Sequence, residues 1–109
     1  VLFVASDVLG RGDTQELGSL LMQSFLHTLS ALRSRPEFIL FVNDGVKLVA
    51  VDSLVVEELR RLEHQGVEIM ACGTCLNRLQ LIDKVGVGRV SDMYAIADTL
   101  FRAEKVISL

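Results

Sequence analysis

Two cysteines separated by two residues are the strongest chemical signal in the sequence. Cys72 and Cys75, with Gly73 and Thr74 between them, follow an apolar run that is typical of a buried strand. A cysteine at a strand end that leads into a helix meets unpaired N–H groups and the positive end of the helix dipole, and both stabilise a thiolate. Because the thiolate attacks sulfur, the segment favours a persulfide carrier or a disulfide-exchange site.

Several interpretations of this cysteine pair are open. Both cysteines could simply pack as small hydrophobic residues. A thioredoxin-like oxidoreductase would carry its pair after an early strand, whereas this pair follows the third predicted strand. A structural zinc site needs four ligands, and His27 and His64 are the only histidines, so zinc would require a subunit interface, and we predict no metal. In a sulfur carrier, one cysteine takes a persulfide and the other resolves it.

A glycine-containing loop and a polar turn are candidates for the walls of a cleft around the cysteines. Gly10 and Gly12 lack the spacing of the phosphate-binding loops, so a flexible turn is favoured there. Arg11, between them, is the side chain that would reach toward the cysteines. Asn43 and Asp44 predict a turn at the end of the second strand. We expect these residues to support the site rather than to react.

Apolar strands alternating with amphipathic helices must position these residues. The predicted strands cover 1–5, 38–42, 67–71, a brief segment at 87–90, and 106–109. The predicted helices cover 13–32, 52–64, 76–82 and 91–103. Strands that alternate with helices form parallel sheets through right-handed crossovers. The sequence therefore predicts one α/β domain over 1–109, with a mostly parallel five-stranded sheet covered on both faces.

The first helix carries the clearest local signals. Asp13 and Glu16 resemble a capping box with Asp in place of Ser or Thr. Its apolar positions repeat at intervals of three and four: Leu17, Leu20, Leu21, Phe25, Thr28, Leu29 and Leu32. In the second helix, capped by Asp52 or Ser53, we expect Leu54 to face inward. The segment 46–51 is compatible with a short strand or with irregular structure.

The expected position of the site follows from the parallel sheet. Ligands of such sheets bind outside the carboxyl ends of the strands. Three segments are predicted to leave the sheet there, at 6–12, 43–45 and 72–75. We therefore expect the glycine-containing loop, the polar turn and the cysteine pair to lie at the same edge.

Composition excludes several classes of function. Eleven basic against fourteen acidic residues give a net charge of −3, and there is no Trp and one Tyr, so neither charge nor base stacking favours nucleic acid. The mean hydropathy is +0.44, yet no apolar run reaches the ~20 residues of a membrane span. Two cysteines cannot form a multi-bridge secreted scaffold. With no export signal, we expect a cytoplasmic protein.

The sequence resembles the C-terminal domain of YedF-like proteins, which belong to the DsrE-like group. The matching segments lie at 6–13, 16–18, 43–46, 72–77, 87–88 and 91–94. The segment CGTCL at 72–76 is the most specific of them. After Cys75 the chain departs from the sulfur-relay members of the group, because it has LNRL at 76–79 instead of their small residues.

The resemblance implies a fold, a function and partners. It implies a three-layer, flavodoxin-like fold, a homo-oligomer of three or six copies, and sulfur or selenium handling without a cofactor. In relay proteins of this group the persulfide cysteine follows the third strand, which corresponds to Cys72, with Cys75 resolving or protecting it. The partner would be a sulfur-donor or acceptor protein. The resemblance also implies an upstream TusA-like domain, which agrees with a chain that begins at Val1 inside a strand.

A different class of function is also open. In this alternative the chain is a non-catalytic oligomeric binding module whose loops form a site for a small molecule or a protein. The two cysteines then only pack, and their thiols are neither acidic nor reactive.

Overall fold

The computed structural model describes residues 1–109, and it confirms the predicted α/β architecture. The strands are β1 (Leu2–Val4), β2 (Phe38–Phe41), β3 (Glu68–Cys72), β4 (Arg89–Ser91) and β5 (Ile107–Ser108). The α-helices are α1 (Gln15–Leu29), α2 (Val56–His64), α3 (Gly73–Arg78) and α4 (Met93–Arg102). Two 3-10 helices, Asn43–Val49 and Ile82–Lys84, lie in the connections.

All five strands form one parallel sheet in the order β4-β3-β2-β1-β5. From β1 to β4 the chain steps in one direction across the sheet, and it then returns to the opposite edge for β5. Right-handed crossovers accordingly place the helices that connect β1 to β4 on one face and α4 on the other. The sheet is thus a flavodoxin-like middle layer between helices.

The two central strands are buried on both faces. Ile39, Leu40 and Phe41 of β2 have no exposed surface, and in β3 Ala71 is fully buried and Ile69 is 2% exposed. Consecutive residues of a strand point to opposite faces, so an uninterrupted buried run requires helices on both sides. No helix of the chain is long and apolar enough to cross a membrane.

The strand register brings the carboxyl ends of the strands together. Val4 of β1 pairs with Phe41 of β2, and Phe41 pairs with Ala71 of β3. Cys72 pairs with Ser91 of β4. The segments after β1, β2 and β3 therefore leave the sheet at one edge, as the sequence predicts.

Helix α1 begins and ends differently from the prediction. Its N-cap is Thr14, whose side-chain oxygen accepts a hydrogen bond of 3.2 Å from the N–H of Leu17. Asp13 is exposed and lies one residue too early for this bond. The helix ends at Leu29, three residues before the predicted end.

The buried face of α1 differs from the predicted one, because Leu29 is the only predicted apolar position that is buried. Its buried residues are Gly18, Met22, Leu26 and Leu29. Leu17, Leu20 and Leu21 are exposed by 53%, 61% and 43%. Gly18 packs closely against the loop after β1, because a Cβ atom there would lie 2.8 Å from the Cβ of Val8. Met22 and Leu26 continue the same buried face at spacings of four residues.

The connection between β2 and α2 also differs from the prediction. The segment 46–51 is mainly part of a 3-10 helix rather than a strand. Helix α2 begins at Val56, because the hydroxyl of Ser53 accepts from the N–H of Val55 in a local turn that precedes the helix. Leu54 is 77% exposed, which corrects its expected inward position.

A glycine before β4 gives a test of the fold. Gly88 has φ +77°, and a Cβ there would lie 2.6 Å from Cγ2 of Ile69. We expect Gly88→Ala to lower the free energy of unfolding by about 2–4 kcal/mol, because it adds backbone strain to overpacking. Urea denaturation measures the loss. Gly12→Ala is the matched control, because no atom lies within 4 Å of that Cβ; equal losses in both variants would contradict this account.

Candidate functional site

The cysteine pair and the polar turn meet at the carboxyl edge of the sheet. The backbone N–H of Asn43, two residues after the end of β2, donates a hydrogen bond of 3.1 Å to the sulfur of Cys75. These two residues are 32 positions apart in the chain. Two of the three segments that were expected at this edge are therefore in direct contact.

Helix α3 begins earlier than predicted and carries one of the cysteines. It starts at Gly73, directly after β3, whereas the sequence predicted a helix over 76–82. Gly73 packs closely against β4, because a Cβ there would lie 3.2 Å from Cγ1 of Val90 and 3.3 Å from the carbonyl oxygen of Ser91. Because α3 starts at Gly73, Cys75 lies in its first turn. Cys72 is the N-cap residue, and a spacing of three residues places both sulfurs on the same side.

The two cysteines differ in their access to solvent. Cys72 is 2% exposed and belongs to the hydrophobic core. Cys75 is half-buried and packs against that core from its edge. Both are free thiols. A reagent at the carboxyl edge of the sheet therefore reaches the sulfur of Cys75 before that of Cys72.

The environment of Cys75 favours the protonated thiol. Burial raises the pKa of the Cys75 thiol, and a hydrogen bond with the neighbouring Cys72 thiol raises it further. The N–H of Asn43 lowers the same pKa without reversing the shift. The helix of six residues adds only a short dipole. The expected thiolate is at Cys72; at Cys75, in the first turn of α3, burial outweighs the opposing effect of the Asn43 N–H.

The polar turn is attached to the end of β1. The N–H of Val42 donates to the carbonyl oxygen of Val4 at 3.0 Å, and the N–H of Gly45 donates to the carbonyl oxygen of Val42 at 2.9 Å. Gly45 lies directly against β1, because a Cβ at this position would overlap the carbonyl oxygen of Val4. Asn43, inside the turn, has φ 51°. The position of its N–H is thus set by β1 as well as by β2.

The remaining predicted site residues are at the surface. Gly10, Arg11 and Gly12 are exposed, and Arg11 makes no side-chain hydrogen bond or ion pair. Thr74 is exposed on the first turn of α3. Asp44 pairs with Lys47 across 3.3 Å, so its carboxylate is engaged within its own 3-10 helix.

No group of three or more His, Cys, Asp and Glu side chains is arranged to hold a metal ion. His27 instead lies 3.5 Å from the carboxylate of Glu58, where it connects α1 with α2. His64 is in the last turn of α2 and is exposed. A zinc site within one copy of the chain would therefore have only the two cysteines.

A large apolar-lined cavity lies away from the cysteines. It has a volume of about 1060 Å³ and lies near the amino ends of β1, β2 and β5, between the last turns of α1 and α4. Its walls include Leu2, Phe25, Phe38 and Ile107. This cavity is therefore separate from the candidate site at the cysteine pair.

Sequence reasoning missed the role of one backbone group. Asn43 was expected only to line the cleft, whereas its N–H contacts the sulfur of Cys75. The signal in the sequence was Asn followed by Asp-Gly after a strand, since asparagine tolerates a positive φ. The pairing with a cysteine 32 residues away required the tertiary structure.

Comparisons with known proteins identify relatives by family and by fold. The model of the DsrE/DsrF-like family matches residues 21–109, which is most of the chain. No curated protein matches the sequence significantly.

Three solved structures share the fold. MTH1491 from Methanobacterium thermoautotrophicum, a protein of unknown function, is 23% identical with a TM-score of 0.70, over 99% of this chain and 96% of that one. The ychN protein from E. coli is 16% identical with a TM-score of 0.70, over 99% and 97%. BT1422 from Bacteroides thetaiotaomicron, a conserved protein of unknown function, is 20% identical with a TM-score of 0.63, over 99% and 93%.

The difference between the two cysteines can be measured by alkylation. With iodoacetamide on the folded, reduced protein, we expect Cys75 to react first and Cys72 to react only when the core opens. Because the pKa of Cys75 is raised, its rate should still increase above pH ~8.5, the ordinary value for cysteine. Peptide mapping by mass spectrometry gives both rates.

Cys75→Ser is the control for this alkylation. In that variant, the fast phase should disappear and only slow labelling of Cys72 should remain. Labelling of Cys72 as fast as that of Cys75 in the wild-type protein would refute the ordering that burial predicts.

Proposed function

Because this chain belongs to the DsrE/DsrF-like family, a family associated with sulfur relay, we propose that it carries sulfur as a persulfide on Cys75. The hydrogen bond from the N–H of Asn43 to the sulfur of Cys75 is the observation that carries this proposal. A donor directed at a sulfur stabilises negative charge there. Half-burial also protects a persulfide from solvent while leaving it open to a partner.

Loading of the site needs no external oxidant. The Cys75 thiol first loses its proton to solvent, and the thiolate attacks the outer sulfur of a donor persulfide. The S–S bond of the donor breaks, the donor leaves as a thiolate, and a new S–S bond forms on Cys75. Transfer to an acceptor thiolate repeats the same exchange in the opposite direction.

The proposal reverses the roles that the sequence suggested for the two cysteines. A sulfur atom added to Cys72 would have to enter the hydrophobic core, because that side chain is 2% exposed. Cys72 is instead the resolving thiol. It can attack the inner sulfur of the Cys75 persulfide, which expels hydrosulfide and leaves a disulfide between Cys72 and Cys75.

A thiol-disulfide redox protein is the second candidate. The observation in its favour is the position of the two free thiols three residues apart, on the same side of the start of α3. The two functions differ in their products, because a redox protein cycles between dithiol and disulfide without holding an additional sulfur atom.

The subgroup, the location and the partner of the chain are parts of the same proposal. The CGTCL segment supports membership of the YedF-like subgroup, with a cytoplasmic location and a sulfur-donor or acceptor protein such as a TusA-like domain as partner. The carboxyl edge of the sheet, where Cys75 lies, is the surface that this partner would approach. The non-catalytic binding module stays as the alternative in which no sulfur is taken up.

Incubation of the reduced protein with inorganic polysulfide tests the carrier function. We expect intact-mass spectrometry to find an adduct of about 32 Da, one sulfur atom, and peptide mapping to assign it to Cys75. Cys75→Ser should abolish the adduct. Cys72→Ala should keep it and lengthen its lifetime, because the resolving thiol is removed.

Other outcomes of the same experiment select the alternatives. An adduct that survives in Cys75→Ser and disappears in Cys72→Ala restores the roles suggested by the sequence. Disulfide formation in the wild-type protein, with no sulfur adduct on Cys75 in Cys72→Ala, selects the redox protein. A protein that gains no sulfur and forms no disulfide is the binding module.

Self-association is a further part of the proposal, because large apolar side chains are unpartnered in the single chain. Leu17 and Leu20 on α1 and Tyr94 and Phe101 on α4 are all more than half exposed. Such surfaces are typical of subunit interfaces.

We expect light scattering to give a trimer or hexamer, and we expect Leu20→Lys to weaken the association of the subunits. His64→Lys adds a comparable side chain on α2 and should leave assembly unchanged; a monomeric wild-type protein would contradict this part.

A further inference from the structure

The backbone of Asn43 has a conformation that few residues adopt. Its φ is 51°, in the left-handed region, where asparagine is enriched and β-branched residues are strained. In this conformation its N–H donates to the sulfur of Cys75 at 3.1 Å. Asn43 is itself exposed, so its identity is not required by core packing.

The turn around Asn43 cannot shift without disturbing the neighbouring strand. Val42 donates to the carbonyl oxygen of Val4 at 3.0 Å, and Gly45 closes the turn with a bond of 2.9 Å to the carbonyl oxygen of Val42. Gly45 also leaves no room between itself and Val4, because any Cβ would overlap the carbonyl oxygen. The N–H of Asn43 is consequently held in its direction before any partner arrives.

The groups that act on the Cys75 sulfur include no charged side chain. Burial and the Cys72 thiol favour the protonated form, whereas the groups that favour the anion are the N–H of Asn43 and the backbone of Cys75 itself. No lysine, arginine or histidine contributes. Stabilisation of negative charge at this site therefore depends on main-chain geometry.

We propose that Asn43 is a positioning residue, whose left-handed backbone directs an N–H at the Cys75 sulfur and stabilises the anion that forms there. In sulfur transfer, an acceptor thiolate attacks the outer sulfur of the persulfide. The bond between that sulfur and Sγ of Cys75 breaks, and its electron pair remains on Sγ. A donor already directed at Sγ stabilises this leaving group without reorganisation.

The role of Asn43 in transfer rests on the proposed persulfide function, but its action on the thiolate can be tested separately. Two substitutions change the backbone preference at this position in opposite ways. Asn43→Gly retains easy access to positive φ, whereas Asn43→Val disfavours it. Both remove the asparagine side chain, so a difference between them reports on the backbone. Cys72→Ala in every protein leaves one thiol to titrate.

The first measurement is the rate of alkylation of Cys75 by iodoacetamide between pH 6 and 10. We expect Asn43→Gly to resemble the protein with Asn43. Asn43→Val should react about tenfold more slowly at pH 7, because a hydrogen bond to a charged group of ordinary strength is lost. Equal rates for the valine and glycine variants would overturn the proposal, as would a slow glycine variant.

The second measurement needs no substitution at Asn43 and stays decisive if the valine variant fails to fold. We expect the amide proton signal of Asn43 in the NMR spectrum to shift with pH, with the same midpoint as the alkylation of Cys75. If the chemical shift of the Asn43 amide proton does not change as Cys75 titrates, the inference is refuted. A chain that shows the coupling but takes up no sulfur refutes the persulfide function and leaves the action of Asn43 on the thiolate standing.

Discussion

The site depends on the contact between the turn after β2 and the carboxyl end of β1. Gly45 lies so close to Val4 that no side chain fits between them, and the N–H of Val42 donates to the same carbonyl oxygen. This contact sets the direction of the Asn43 N–H. It therefore also determines that the sulfur of Cys75 accepts the hydrogen bond from this N–H. A parallel sheet makes this possible, because three consecutive strands end at the same edge.

The two cysteines differ in solvent access and in hydrogen bonding. Cys72 ends β3 inside the core and is protected, whereas Cys75 in the first turn of α3 is open to a partner and receives the donor from Asn43. The raised pKa of Cys75 keeps the resting thiol protonated. Such a thiol resists adventitious oxidation, since the thiolate is the reactive form.

Close contacts of glycines lie at two of the places where the structure departs from the expectations based on sequence. Gly18 packs closely against Val8 on the buried face of α1, while Leu17 and Leu20 are exposed. Gly73 packs against β4 where α3 begins, and the first turn of α3 includes Cys75. Local periodicity contains no information about such contacts, because the partner atoms belong to other parts of the chain.

The sequence alone determined the parallel α/β fold, the edge at which the site lies and the residues of the cysteine pair. Alternating apolar strands and amphipathic helices are local patterns, and the topology rules then leave few alternatives. Only the tertiary structure decided which cysteine is accessible, which face of α1 is buried and which group donates to the sulfur of Cys75. Burial and hydrogen bonds between distant residues, such as Asn43 and Cys75, are properties of packing that no local spacing encodes.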